Sequence, residues 1–152
     1  IIGHSERRRL NNETDDMVFN KYTNLISCEI EPIVCVGDLS KKGSTEERIQ
    51  AILSQLKLYP QETSLWIAYE PVWAIGSGEV PTYEWINTVT DEIHKLLPNT
   101  RVLYGGSVNE NNAAEIMAKT HIRGLLIGGV SLDAKKFYTL AVNVEDKLHG
   151  KH

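Results

Sequence analysis

Short apolar runs alternate along the chain with longer stretches whose apolar residues recur at helical spacing. The runs are rich in β-branched residues and are bounded by Gly, Pro or polar residues, which is typical of strands buried on both faces. Four such strands are predicted, at residues 31–37, 64–69, 101–104 and 122–128. Helices are predicted around them, at residues 13–28, from Ser44 onward, at 82–97, at 110–119 and at 132–148.

Two of the predicted helices carry clear end signals. Ser44 is followed three residues later by Glu47, which is the pattern of a capping box at a helix start. The helix at 82–97 is expected to stop before Pro98, because the residue ahead of a proline disfavours helical backbone angles.

Strand followed by helix, repeated four times, predicts an α/β fold of parallel βα units, because parallel neighbours need a crossover connection. A closed eight-stranded barrel takes roughly 250 residues, so the 152 residues here would form about its second half. A flavodoxin-like open sheet fits the same length, and periodicity alone does not separate the two. In either case the length predicts a single domain over residues 1–152.

Charge and cysteine content narrow the classes of partner. The chain has 16 basic and 20 acidic residues mixed along its length, with a formal net charge of -4 and no basic block. Nucleic-acid and membrane partners are therefore disfavoured. The chain has only two cysteines, Cys28 and Cys35, and the latter lies in an apolar run, so free thiols and a reducing, cytoplasmic setting are expected.

Unusual residues gather after the predicted strands, where the loops of a parallel sheet carry function. Glu70 directly follows the second predicted strand, and Pro71 after it favours an extended conformation of Glu70. A lone glutamate there is more often an ion-pair partner. If the neighbouring loop closes and excludes water, however, its pKa rises and it becomes a competent base. His4 precedes a possible short helix with Glu6 in its first turn, and the helix dipole would favour a neutral imidazole that can polarise a carbonyl.

The segment 71–81 is long for a strand-to-helix loop and is interpreted as a lid. We call residues 71–73 its first hinge, 74–78 its tip and 79–81 its second hinge. Three glycine-containing turns can offer backbone N–H groups to an anion, and the last of them opens toward a helix. The candidate binding residues in these turns are Gly76, Ser107, Gly128 and Gly129.

Taken in order, these motifs closely resemble the triosephosphate isomerase family. The resemblance runs from residue 1 to about residue 142, and its most specific string is Ala-Tyr-Glu-Pro-Val-Trp-Ala-Ile-Gly, at residues 68–76. It implies a partial TIM (β/α)8 barrel, from the end of strand 4 through helix 8, acting on a phosphorylated triose. In this resemblance Glu70 is the catalytic base, His4 the electrophile and proton relay, and Glu6 a supporting carboxylate. It requires no metal or organic cofactor and implies a homodimer for the full-length parent.

The chain also departs from the family pattern. The family's N-terminal lysine loop has no counterpart here, so this chain is interpreted as a fragment that is inactive or nearly so by itself. The second hinge reads Glu79-Val80-Pro81 in place of the more usual lysine-containing segment, and Asp38 replaces a glutamate. Two alternatives are another phosphate-binding barrel enzyme and a non-catalytic piece that requires a complementing N-terminal half.

Overall fold

The computed structural model describes residues 1–150 as an α/β fold around a parallel sheet. Its four strands are β1 (Ile33–Val36), β2 (Trp66–Tyr69), β3 (Arg101–Tyr104) and β4 (Gly124–Leu125). They pair in the order β1-β2-β3-β4, so neighbours along the chain are also neighbours in the sheet. The predicted alternation of strand and helix is confirmed. The prediction of one domain over residues 1–152 extends to residues 151 and 152, which lie outside the described part.

Six α-helices lie among the described residues. They are α1 (Ser5–Asn11), α2 (Asp15–Ser27), α3 (Thr45–Ser54), α4 (Tyr83–Leu96), α5 (Ala113–Lys119) and α6 (Ala134–His149). Two short 3-10 turns, Val72–Ala74 and Gly129–Leu132, follow β2 and β4. Within residues 1–150, no helix has the length and apolar content needed to cross a bilayer.

The capping signals in the sequence set the helix ends. The Glu47 N–H donates to Ser44 Oγ at 3.2 Å, and the Ser44 N–H donates to Glu47 Oε2 at 2.9 Å, which is the predicted capping box at the start of α3. Helix α4 ends at Leu96, as expected ahead of Pro98.

Several predicted boundaries were wrong by two or three residues. Strand β4 is only Gly124–Leu125, because the chain leaves the sheet after the Leu126 N–H donates to Tyr104 O at 2.9 Å. Helix α5 starts at Ala113 rather than near residue 110, because asparagine side chains bond the backbone between 109 and 112 in place of a helical turn. Helix α6 starts at Ala134 rather than Leu132, because Leu132 belongs to the 3-10 turn Gly129–Leu132 and Asp133 caps the helix.

The two faces of the sheet are covered differently. One face carries large apolar side chains of the strands, and these pack with buried residues of α2, α3, α4 and α5 in the main core. The opposite face holds the smaller cluster of Cys35, Ala68 and Leu103, to which no helix within the described part contributes a buried residue. A doubly wound sheet has helices on both faces and a reversal of strand order. The sequential order and one-sided helices are consistent with a partial TIM barrel.

The strand register brings the loops together. Val36, Tyr69 and Tyr104 lie side by side at the carboxyl ends of β1, β2 and β3. Ile2 forms a parallel bridge to Val34 beyond the edge of β1, which places the segment after Ile2 at the same end of the sheet. The residues that follow each strand therefore surround one space.

Candidate active site

A cavity of about 470 Å³ opens at the carboxyl ends of the strands. Almost every site residue predicted from the sequence lines it: His4, Glu70, Gly76, Ser107, Gly128 and Gly129. Ile75, Leu126 and Ile127 supply apolar walls, and no lysine or arginine of residues 1–150 lines the cavity. Nor do the described residues hold a group of three or more His, Cys, Asp or Glu side chains that could bind a metal ion.

Glu70 is the buried acid of this cavity, with only 2% of its surface exposed. Its backbone N–H donates to Val36 O at 2.7 Å, which fixes the residue at the end of β2. Its carboxylate has two partners from the start of the chain. Oε2 accepts from the Ser5 N–H at 2.9 Å, and Oε1 lies 3.0 Å from His4 Nε2. The carboxylate is thus held where the β2 end meets the start of α1.

Burial raises the pKa of Glu70 above its usual value of 4.5, because removal from water penalises the charged form. The Ser5 N–H and His4 act in the opposite direction and favour the carboxylate. Burial is the larger effect. The side chain is therefore shifted toward the range in which a carboxylate can both take up and return a proton.

His4 is itself the residue that caps α1. Its Nδ1 accepts a hydrogen bond from the Glu6 N–H at 3.3 Å, at the amino end of the helix. An Nδ1 that accepts carries no proton, so the ring proton of the neutral imidazole lies on Nε2. Nε2 faces Glu70 Oε1, so His4 presents an N–H donor to the cavity side occupied by the acid.

Glu6 lies apart from the other predicted residues. Its side chain is exposed and lines a neighbouring surface pocket with His4 and Val72, not the main cavity. Its carboxylate forms no hydrogen bond or ion pair with other residues of the described part, and its contact with the site is the backbone N–H given to His4. The structure therefore gives Glu6 a contact with His4 through its backbone, and the supporting carboxylate implied by the family resemblance stays a prediction.

The segment predicted to be a lid lines the cavity through Ile75, Gly76 and Gly78 and is hydrogen-bonded to the turn after β3. The Ser107 hydroxyl donates to Ala74 O at 2.5 Å and accepts from the Gly78 N–H at 3.2 Å. Gly76 and Gly78 have φ values of 69° and 79°, a left-handed conformation that favours glycine. The predicted lid tip is thus folded down on Ser107, and the Ser107 hydroxyl is used by the lid.

Backbone N–H groups in the three glycine-containing turns remain available for an anion. Four of these N–H groups donate no hydrogen bond to any residue of the described part: those of Gly76, Ser107, Gly128 and Gly129. The turn at Gly128 and Gly129 leads into a 3-10 turn rather than directly into α6, whose amino end is capped by Asp133. The N–H donors of Gly128 and Gly129 therefore lie at the start of the 3-10 turn and not at the amino end of α6.

Sequence reasoning missed two contributors to the site. Ser5 acts through its backbone N–H, which leaves no signal in the sequence. Asp38, 3% exposed, accepts from Tyr69 Oη at 2.9 Å and from Trp73 Nε1 at 3.1 Å, and it forms an ion pair with Arg48. The sequence marked Asp38 only by the departure from the glutamate that is usual in the family. Asp38 anchors the first hinge of the lid.

The raised pKa of Glu70 has a testable effect on stability. Since the folded state binds the proton more tightly than the unfolded chain, Glu70 contributes stability below pH 4.5 that is lost as the pH rises through its folded-state pKa. We expect the wild type to lose stability relative to Glu70→Gln as the pH rises from 4.5 through the folded-state pKa of Glu70. The measured quantity is the difference between their free energies of unfolding. Urea unfolding of both proteins across the pH range measures it. A difference that stays constant or rises would contradict the burial effect.

The amino-acid sequence is similar to those of known proteins over most of its length. The model of a family described as triosephosphate isomerase matches residues 1–144. A triosephosphate isomerase of Leifsonia xyli subsp. xyli is 41% identical over 150 residues, covering 90% of this chain and 58% of the relative. A triosephosphate isomerase of Hyphomonas neptunium is 41% identical, over 92% of this chain and 61% of the relative. One of Mycoplasmopsis agalactiae is 40% identical, over 92% of this chain and 57% of the relative. The chain therefore spans about three-fifths of the length of these relatives.

Proposed function

Because the chain belongs to the triosephosphate isomerase family, we propose that the complete protein interconverts dihydroxyacetone phosphate and D-glyceraldehyde 3-phosphate. The observation that carries the proposal is the pairing of buried Glu70 with the Nε2–H of His4, 3.0 Å away, beside free backbone N–H groups. A proton acceptor, a hydrogen-bond donor for a carbonyl and a set of free backbone N–H groups for an anion line one cavity, which suits proton transfer next to a carbonyl on a phosphorylated substrate.

Glu70 would take the proton from C1 of dihydroxyacetone phosphate. The C–H electron pair then forms the C1–C2 double bond, and the carbonyl π pair moves to O2. His4 Nε2–H donates to O2 as its charge develops and relays the proton between O2 and O1. Return of the proton from Glu70 to C2 gives the aldehyde at C1. All atoms and electrons remain in the substrate and these two side chains, so no oxidant or cofactor is consumed.

The present contacts of Glu70 identify what the substrate must displace. Oε1 and His4 Nε2 now face each other directly, and the Ser5 N–H holds Oε2. A substrate carbonyl would insert at Nε2, and its adjacent carbon would then lie against the carboxylate. A carbonyl inserted between His4 and Glu70 would weaken one of the interactions that favour the charged carboxylate, so the pKa of Glu70 would rise further and the carboxylate would be a stronger base.

The phosphate would be held by backbone dipoles of the glycine-containing turns. The N–H groups of Gly76, Ser107, Gly128 and Gly129 line the same cavity as Glu70. Because Gly76 belongs to the lid tip, phosphate binding and lid closure would support each other. A closed lid excludes water and holds the enediolate in a conformation from which phosphate is not eliminated.

We propose further that β1 to β4 are strands 5 to 8 of a TIM barrel and that Ile2 ends strand 4, so that the chain runs through helix 8. The sequential strand order, the bridge from Ile2 to Val34 and the share of the relatives' length support this assignment. The complete protein would be a homodimer in the cytoplasm. Free Cys28, exposed, and Cys35, buried, suit a reducing compartment.

A second candidate, a barrel piece that needs a complementing N-terminal half, is favoured by the exposed apolar surface near β4. Leu132, in the 3-10 turn before α6, is 91% exposed, and Tyr138 of α6 is 71% exposed. Phe137 of α6 is half-exposed, and this helix makes its main contacts with α5. Such a surface marks a place where further protein packs. Another phosphate-binding barrel enzyme is not supported, because the family match covers residues 1–144.

The decisive experiment compares the complete protein, this chain alone, and this chain mixed with a purified N-terminal half. We expect the complete protein to convert dihydroxyacetone phosphate to glyceraldehyde 3-phosphate, measured by coupled oxidation of the aldehyde, and this chain alone to be inactive or nearly so. Activity in the mixture would favour the second candidate. A complete protein inactive on both trioses would overturn the proposed function.

A further inference from the structure

A lysine outside the lid contacts both ends of the lid. Lys41 lies in the loop between β1 and α3, which we call the β1–α3 loop (residues 37–44). Its Nζ lies 2.7 Å from Glu79 Oε2 in the second hinge and 5.6 Å from the centroid of the Trp73 ring in the first hinge. One ammonium group therefore spans the two segments about which the lid would move.

The same loop holds the first hinge by a second, buried anchor. Asp38 O accepts from the Val72 N–H at 3.1 Å, and its carboxylate accepts from Trp73 Nε1. Arg48 neutralises this carboxylate from α3 and stacks 3.8 Å from the centroid of Trp85. This anchor is buried, charge-paired and hydrogen-bonded, so it fixes Trp73 to the β1–α3 loop.

The Lys41–Glu79 contact differs from that anchor in exposure. The two side chains are 60% and 52% exposed, so their attraction is weak and is screened by salt. A buried pair would lock the second hinge, whereas an exposed pair can break and reform without a large desolvation cost. The first hinge is thus held to the β1–α3 loop by a buried anchor, and the second is held to the same loop by an exposed contact.

We propose that Lys41 and Glu79 form a salt-sensitive latch that favours the folded-down lid, with Lys41 acting as a positioning residue for lid closure. The latch acts in concert with Ser107, which holds the tip through Ala74 and Gly78. Any effect of the Lys41–Glu79 latch on catalysis rests on the proposed function. The contact itself forms without substrate.

The latch is tested by amide hydrogen exchange at Gly78 in the complete protein, because this N–H is bonded to Ser107 in the folded-down lid and would lose that bond if the lid tip moved away. We expect Lys41→Gln to speed exchange at Gly78 by up to about fivefold, the limit for an exposed ion pair. The double charge swap Lys41→Glu with Glu79→Lys should restore slow exchange. Raising NaCl from about 0.05 M to about 0.5 M should speed exchange in the wild type but not in Lys41→Gln.

Lys42→Gln is the matched control, because the adjacent lysine forms no ion pair within residues 1–150 and should leave Gly78 exchange unchanged. The amide of Ile67 in β2 reports global unfolding and should not respond to any variant. Unchanged Gly78 exchange in Lys41→Gln, or a charge swap that fails to restore it, would overturn the latch. If the complete wild-type protein lacked isomerase activity while Gly78 exchange responded to the variants as expected, the proposed function would be overturned and the latch would stand.

Discussion

Replacing Glu70 with Gln should lower kcat of the complete protein about 10³-fold, within the range that a positioned general base contributes. Glutamine nearly preserves the shape of the side chain but cannot accept the proton from C1. Its amide group would also place an N–H donor near His4 Nε2 or the Ser5 N–H, where Glu70 now offers only acceptors. Steady-state kinetics with either triose phosphate measures the loss, and KM should change much less than kcat.

Glu46→Gln is the control for removal of one carboxylate. Glu46 is exposed in the first turn of α3 and makes no ion pair with the described residues, so kcat should be unchanged. Glu70→Asp sharpens the test, because it keeps the charge and withdraws it by one methylene. A kcat within tenfold of the wild type in Glu70→Gln would remove Glu70 from the role of base.

Gly37→Ala should destabilise the protein by about 3 kcal/mol or more, at the upper end of overpacking substitutions. A Cβ at this position would lie 1.7 Å from the backbone oxygen of Glu70, a contact that no rotamer change relieves. The ends of β1 and β2 would have to separate. Separation would also strain the two hydrogen bonds that the Gln55 side chain makes to Gly37 and would shift the Glu70 carboxylate.

Gly124→Ala is the matched control in the same sheet, because its added Cβ would meet only the flexible tip of Leu103, at 3.0 Å. We expect a loss no larger than about 1 kcal/mol there. Urea unfolding monitored by circular dichroism measures both variants. Equal stability of Gly37→Ala and Gly124→Ala would mean that the β1 and β2 ends are not packed as closely as the structure has them.

Much of the site could be predicted because parallel strands bring their carboxyl ends to one edge. Once four βα units were recognised, His4, Glu70 and the glycine-containing turns had to converge, and they line one cavity. The strand-ending Glu70 and the cap at Ser44 depend on local sequence, so their positions were correct.

What the sequence could not supply was contact through the backbone or across long separations. Ser5 and Glu6 act through N–H groups that every non-proline residue carries, so their identity gives no hint of the role. The pair Lys41 and Glu79 joins two exposed loops with no periodic signal. The side chain of Glu6 points away from the cavity, which depends on the direction of α1 and not on the motif.

The anchoring of the lid to the β1–α3 loop limits how these segments can diverge over evolution. Surface loops ordinarily accept insertions and deletions freely, because little else depends on their length. Here a change in length between Asp38 and Lys41 would move the acceptor of Trp73 and the partner of Glu79 out of register with each other. Mutations in this loop and in the lid, more than thirty positions later, should therefore be inherited as compensating pairs rather than accumulate independently.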